Sequence, residues 1–405
     1  MKQQSNPITQ DYNELLKSNI ERKQDLIKII KSGEAVLFVG AGSSVRVGYP
    51  TWENLLKELK NEVIKLNNRH GSNTKYKEQF ELSFSDCSED FLDCAEKLKT
   101  EIYKINSGEK RYYNWLSRIF ADKESTDDFH TILLSLPFRG ILTTNYDSVL
   151  EAVLAKIDKK PLDGYSLIIN DEFFMQINEF LLSMSDKEIP RKIAHLHGII
   201  KVPSSIIFTR KDYEKAYGYL TPSNDSNLEE LTKSSQLHTN IKDLTFIGSE
   251  WTIHRKLLWA VLATRHVVFI GFSMNDPYLE KMLDSVCDDL GRWDRPIHYA
   301  IRNISLKNHT CVGDFMDKAN YLREEYSVET VFYEDSDDSH QGLAEIINEI
   351  AKECDQKAHD TPLHKLDSSS NESGHKKKDK NDIKLEHLSK ISTEMDRRTG
   401  NVNKT

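Results

Sequence analysis

Apolar residues along this chain fall into short runs separated by stretches of helical periodicity. Leu15, Leu16, Ile20, Leu26, Ile27, Ile29 and Ile30 recur near helical spacing, which predicts a helix over 11–32 with Gly33 as its cap. Ala35-Val36-Leu37-Phe38-Val39 follows, a continuous apolar run bounded by Gly33 and Gly40 that reads as a buried strand. Thr51 is an N-cap for a helix from Trp52 to about Leu66. Residues 67–130 are mixed, mostly helical, and poor in strand signals. Further strands are predicted at 139–143, 192–196, 206–208, 267–270, 297–301 and 328–332. Helices are predicted from about Asp147 to Ile157, from about Asp276, and from about Ser339 to Lys352. Continuous apolar strands alternating with helices predict an α/β fold. The expected architecture is a Rossmann-like, mostly parallel sheet with helices on both faces.

Three segments follow from this pattern: an N-terminal helix over 1–34, a body over 35–355 with a helical insertion at about 53–130, and a tail over 356–405. The tail has no Phe, Tyr or Trp and carries Lys376-Lys377-Lys378-Asp379-Lys380. It cannot bury enough apolar surface to offset its ordering entropy, so it is predicted to be disordered. Within it Leu385, Leu388, Ile391 and Met395 form a short amphipathic patch that could fold on a partner.

Composition narrows the function classes. The chain has 405 residues and a net charge of −9, and its last fifty residues hold 11 Lys/Arg against 8 Asp/Glu. The body is therefore more acidic than the whole, which argues against direct nucleic-acid binding. No stretch approaches the roughly 20 apolar residues of a membrane span, and the N-terminus lacks an apolar signal core. A cytoplasmic protein without membrane association is expected. The five cysteines are scattered without a C-x-x-C pair, so neither a zinc site nor a disulfide framework is indicated.

Candidate chemistry lies in loops at the carboxyl ends of predicted strands, where open α/β sheets bind ligands. Gly40-Ala41-Gly42-Ser43-Ser44 follows the first strand. Such a glycine pair allows a tight turn and close approach to a phosphate, with the next helix aiming its free N–H groups at the anion. Val45 stands where the third glycine of the usual dinucleotide fingerprint would be, so an ordinary strand-to-loop turn stays open on this loop alone. Thr144-Asn145-Tyr146-Asp147 supplies an amide with donor and acceptor, and a carboxylate that either orients a hydroxyl or caps the next helix. His197-Gly198 supplies a group that titrates near neutral pH. Gly271-Phe272-Ser273-Met274-Asn275-Asp276-Pro277 can hold a ribose or phosphate through Ser273 and the loop N–H groups. His195, on the opposite strand face from Leu196, reads as structural.

Taken in order, GAGSS, TTNYD, HLHG and GFSMNDP resemble the sirtuin fold, and more closely the bacterial sirtuin-like proteins of antiphage defence. Gly48-Tyr49-Pro50-Thr51-Trp52 and the run from Thr143 to Glu151 are typical of that branch. The resemblance implies NAD as ligand. It implies that Gly40, Ala41, Gly42 and Ser43 bind its phosphates, and that Asn145 and Asp147 face the nicotinamide ribose with Asn145 placing the attacking group. His197 is the implied catalytic histidine, and Gly271 and Ser273 the adenosine side. Deacetylase sirtuins usually carry Gln where this chain has Thr144, and a four-cysteine zinc ribbon that this chain lacks. The expectation is therefore a metal-free NAD hydrolase, the NAD-depleting effector of an abortive-infection system. An NAD-dependent deacylase and a non-catalytic NAD or ADP-ribose sensor are the alternatives. Relatives of this kind imply a homo-oligomer and a separate activating protein, with a HerA-like ATPase first and an Argonaute-type protein second.

Overall fold

The computed structural model describes residues 7–69, 91–121, 123, 127–161, 164–220, 245–246, 251–291, 298–304, 310–335 and 341–356. All of them fall within the compact unit Met1–His359. The predicted tail lies outside the described residues from Lys357 onward, as does its amphipathic patch.

Seven parallel strands form the sheet: β1 (Val36–Val39), β2 (Gly140–Thr143), β3 (Ser166–Ile168), β4 (Ile193–His195), β7 (Val267–Ile270), β8 (His298–Ile304) and β9 (Val328–Glu334). Their order is β3-β4-β2-β1-β7-β8-β9. A separate antiparallel pair joins β5 (Tyr219–Leu220) to β6 (Thr245–Phe246). Strand β1 occupies the centre, with Val36 opposite both Gly140 and Val267. The chain runs from β1 outward through β2 to β4 and β3, then returns to add β7 on the other side of β1. That reversal opens a crevice at the carboxyl ends of β1, β2 and β7.

Alternate residues of each strand point to opposite faces, and each face has its own core. Leu37, Val39, Ile141, Ile193, Val268 and Ile270 pack with α1 (Pro7–Ser32), α2 (Trp52–Arg69), α3 (Phe91–Tyr103), α4 (Gly108–Ile119), α5 (Asp128–Ser135), α6 (Val149–Asp158) and α12 (Gln341–Gln356). Val36, Phe38, Leu142, Ala194, Val267 and Phe269 pack with α7 (Met175–Ser185), α8 (Arg210–Tyr217), α9 (Ile253–Thr264), α10 (Pro277–Leu290) and α11 (Thr310–Tyr326). This is the Rossmann-like sheet with helices on both faces that the pattern predicts. Burial on both faces explains why the strands read as continuous apolar runs.

Helix α1 is seated on the sheet edge. Asn19 exchanges hydrogen bonds with the Phe332 backbone at 2.9 Å each way, and Arg22 pairs with Glu329 at 2.9 Å. Leu15, Leu26, Ile27 and Ile30 are buried, but Leu16 and Ile20 of the predicted apolar face are exposed. Between α2 and β2 lie α3, α4 and α5, and α3 is tied to α8 by charge. Arg210 pairs with Asp93, Lys211 with Glu96 at 3.1 Å, and Lys99 with Asp212 at 3.2 Å.

The predicted strand at 206–208 is not one. Residues 203–205 form a 3₁₀ turn, and 206–208 run on without a ladder into the N-cap at Thr209. Their apolar side chains fill the core instead, and Phe208 stacks on Trp52 at 4.9 Å. A short apolar run has no periodicity by which to tell strand from buried loop. Conversely, β3 is only three residues long at the sheet edge and left no signal of its own.

Four histidines are buried uncharged in this core. Burial pushes the imidazoles of His130 and His254 down to about 4, and those of His197 and His298 down to about 3. Their folded values lie below the unfolded value of about 6.5, so the unfolded chain binds extra protons on acidification. The stability they contribute is complete above pH 6.5 and is lost as pH falls from there towards about 4. Each unit of depression is worth about 1.4 kcal/mol. Asp276, raised to about 6 by burial, acts in the opposite sense, as do Asp147 and Glu280, whose carboxyls burial also pushes up, but these three stand against four histidines. The melting temperature, followed by circular dichroism, is expected to drop steeply between pH 6.5 and 4. A flat profile over that range contradicts the buried neutral assignment.

Candidate active site

Three loops meet at the carboxyl ends of the central strands. The loop after β1 closes on itself as a 3₁₀ turn, Ala41–Ser43, with the Ser43 hydroxyl donating to the Gly40 carbonyl at 2.8 Å. A second short turn, Val45–Val47, ends at Gly48 in the left-handed region, φ 88°. The next α-helix begins at Trp52, as the Thr51 cap predicts, so short turns and not a helix follow the glycine loop directly. The N–H groups of Gly42, Ser43 and Ser44 are spent inside the crevice, on the carbonyls of Gly271, Gly40 and Ala41.

The glycines are there for loop-to-loop contact. A Cβ at Gly40 would lie 2.5 Å from the Gly271 carbonyl oxygen, and one at Gly42 would lie 3.0 Å from it. Gly271 has φ +65°, and a Cβ there would meet the Ser43 nitrogen at 2.5 Å. The loops after β1 and β7 therefore touch backbone to backbone, which only glycine permits. Ser273, two residues on, is exposed.

Asn145 and Asp147 come from the loop after β2. Thr143 Oγ1 donates to the Val39 carbonyl at 3.0 Å and accepts from the Asn145 N–H at 3.0 Å, setting the start of this loop. Asn145 Nδ2 donates to Ser44 Oγ at 2.9 Å and to the Gly40 carbonyl at 3.2 Å. Its Oδ1 is buried and has no hydrogen-bond partner among the described residues. Ser44 in turn hydrogen-bonds the Asp147 carboxylate, which also accepts from the Val149 N–H at 3.1 Å. Asp147 thus accepts from the first N–H of α6 and is linked to the glycine loop through Ser44. Burial raises its pKa.

His197 follows β4 and is buried against α8. Its Nε2 lies 2.9 Å from the Tyr217 hydroxyl and its Nδ1 3.2 Å from the Tyr213 hydroxyl. Tyr213 donates its proton to the Asp276 carboxylate, so it accepts from Nδ1–H, and Nε2 is left as the acceptor for Tyr217. Burial, with His254 nearby, pushes His197 down to about 3, so the ring is neutral at physiological pH. Asp276 caps α10 through the Tyr278 and Leu279 N–H groups.

Asn145 is therefore brought onto the glycine loop, whereas the ring of His197 faces the tyrosines of α8. Among the described contacts no hydrogen bond joins the two side chains. Sequence reasoning missed Ser44, Tyr213, Tyr217 and the link from Asp276 to His197. Ser44 lay within the quoted motif, but the tyrosines of α8 carried no motif to mark them. Ala41, Gly42, Thr144, Gly271, Phe272 and Ser273 form the accessible rim above the buried groups. A groove of about 590 Å³ lined by Arg139, Lys160, Lys187 and Arg191 lies at the other, amino end of the strands. Among the described residues no group of three His, Cys, Asp or Glu could hold a metal ion.

A reversed strand order with glycine loop, asparagine and histidine around its crevice defines an α/β protein with a ligand site at the carboxyl ends of its central strands. Residues 139–311 match the SIR2-like domain family. The chain is 26% identical over 296 residues to the NAD(+) hydrolase ThsA of Enterococcus faecium, covering 73% of this chain and 48% of that protein. It is 23% identical over 300 residues to the NAD(+) hydrolase ThsA of Acinetobacter baumannii, covering 74% and 46%. It is 21% identical over 267 residues to Defense-associated sirtuin 2 of Bacillus subtilis, covering 66% of this chain and 20% of that protein. The chain spans less than half the length of these relatives. The sirtuin-like resemblance carried by the motifs is shown by these matches.

The loop packing yields a direct test. Gly40→Ala is expected to force the loops after β1 and β7 apart and to lower stability by about 1–3 kcal/mol, the range of an overpacked core. Urea denaturation measures it, and a midpoint equal to wild type would mean that the two loops do not touch.

Proposed function

We propose that this chain is an NAD glycohydrolase that cleaves the nicotinamide–ribose bond to give nicotinamide and ADP-ribose, acting in the cytoplasm as the NAD-depleting effector of an antiphage system. The observation that carries this reading is Asn145, a buried amide tied by its Nδ2 to the glycine loop while its Oδ1 is unpartnered. An acceptor in that state is suited to a hydroxyl or a water beside a bound ribose. The names of the relatives support the same substrate.

The chemistry asks little of the protein beyond placement. Nicotinamide leaves as a neutral molecule from a cationic ring, so its departure needs no acid. The transition state is oxocarbenium-like, as in other glycosyl cleavages. What remains is to place a water and to balance charge on the ribose. Asn145 would orient the water or the ribose hydroxyl. The neutral His197 would polarise the water or the ribose hydroxyl as a hydrogen-bond acceptor, through Nε2 once Tyr217 yields to substrate. Gly40, Ala41, Gly42 and Ser43 would accommodate the phosphates, Asp147 the nicotinamide ribose, and Gly271 and Ser273 the adenosine side. No residue of the proposed set calls for a metal.

Uncontrolled, this activity would kill its host, so restraint belongs to the proposal. A homo-oligomer held by a separate activating protein fits, with a HerA-like ATPase as first choice and an Argonaute-type protein as second. Nicotinamide release from NAD, measured with and without each partner, tests the reading. Asn145→Ala and His197→Ala are expected to lower turnover roughly 100-fold or more while leaving the circular dichroism spectrum unchanged. A wild-type protein that leaves NAD intact under all these conditions would overturn the proposal.

A further inference from the structure

Directly beneath Asn145 lies an ion pair that the proposed chemistry does not use. His195, at the end of β4, is wholly buried, and Glu151, on α6, is 1% exposed. The His195 Nε2 is 2.5 Å from Glu151 Oε1, and its Nδ1 is 3.1 Å from the backbone carbonyl oxygen of Asn145. A carbonyl and a carboxylate can only accept. Each ring nitrogen must therefore carry a hydrogen, and the ring is an imidazolium. Glu151 is steadied by Ser166 of β3, whose hydroxyl donates to Oε1 at 2.6 Å.

The charge balance around the ring agrees. Burial alone would push His195 down, but Glu151 from α6, the Asn145 carbonyl, and Asp147 in the loop after β2 outweigh it, and its pKa is raised. Burial would likewise push Glu151 up, but the His195 charge leaves its pKa lowered.

Such a pair is not needed for stability as such, because apolar residues of equal volume often serve as well or better. What apolar residues cannot do is hold a backbone carbonyl. The Asn145 N–H is already fixed by Thr143 Oγ1, and His195 fixes its carbonyl from the other side. With both backbone groups held, the amide of Asn145 is left with one place to be. Two residues away in sequence, His197 meets tyrosine hydroxyls in place of a carboxylate and is neutral.

We propose that His195 and Glu151 are a positioning pair for Asn145: a buried imidazolium, kept charged by its carboxylate, that pins the Asn145 carbonyl and so sets where the Asn145 amide meets the ribose. Neither residue touches substrate. The inference rests on the reading of Asn145 as a catalytic residue.

The test is Glu151→Gln in the full-length chain, with its activating partner where turnover requires one. Steady-state kinetics for NAD are measured from pH 5.5 to 9. Without the carboxylate, His195 loses its proton at lower pH and its hold on the Asn145 carbonyl weakens. At pH 7.5 kcat is expected to fall about tenfold or more, as for a misplaced catalytic group. KM is expected to stay within about twofold, because binding itself is not altered. The alkaline limb of kcat is expected to move at least about one pH unit towards acid, so that part of the loss is recovered at low pH. A merely structural pair would lower the melting temperature and leave the pH profile of kcat where it was, and that result overturns the proposal. Should Glu151→Gln fail to fold, Glu151→Asp decides. It draws the carboxylate back from His195 and is expected to shift the same limb in the same direction by less, and an unshifted limb overturns the proposal. Asn145→Ala, assayed alongside, separates the two readings. If it turns over like wild type, the catalytic assignment of Asn145 fails and this inference with it. If it is inactive while Glu151→Gln behaves as wild type, this inference alone fails.

Discussion

Everything at the candidate site hangs on the position of β1 at the centre of the sheet, hydrogen-bonded to β2 on one side and to β7 on the other. In that register the Val39 carbonyl receives the Thr143 hydroxyl, and the Gly40 N–H reaches the Ile270 carbonyl. The loops that follow the three strands are thereby forced to the same height. They approach so closely that Gly40 and Gly271 have no room for a side chain. Asn145 then meets Ser44 and Gly40 because the strands beneath them are neighbours, although about a hundred residues separate them along the chain.

The same two-residue spacing gives two histidines opposite charge states. His195 and His197 are both buried, and burial pushes both towards neutrality. A carboxylate on α6 reverses that for His195, whereas His197 finds only phenols and stays neutral. A neutral ring and a fixed cation thus sit side by side in one HLHG motif. Their roles are set by what packs against each face, because environment and not residue type decides a buried titration.

Helix α8 links this chemistry to α3. It presents Tyr213 and Tyr217 to His197, while Arg210, Lys211 and Asp212 pair with Asp93, Glu96 and Lys99 of α3. Phe208, just before α8, stacks on Trp52 at the start of α2. The histidine of the proposed chemistry is therefore packed by a helix that is itself held by α2 and α3, which are part of the site's support.

Much of the architecture was legible in the sequence. Continuous apolar runs announced six of the seven parallel strands, because residues buried on both faces must be apolar at every position. The runs at 35–39 and 267–270 and the motifs after them located the glycine, asparagine, histidine and GFSMNDP loops. Only the tertiary structure showed that 206–208 is core-filling loop, that β3 exists, and that short turns follow the glycine loop. It alone brought α8 against His197 and placed Glu151 under His195, which made one histidine neutral and the other charged. Local pattern reports whether a residue will be buried. It does not report which distant groups will share that burial, and for hydrogen-bond partners and buried charge those groups decide the outcome.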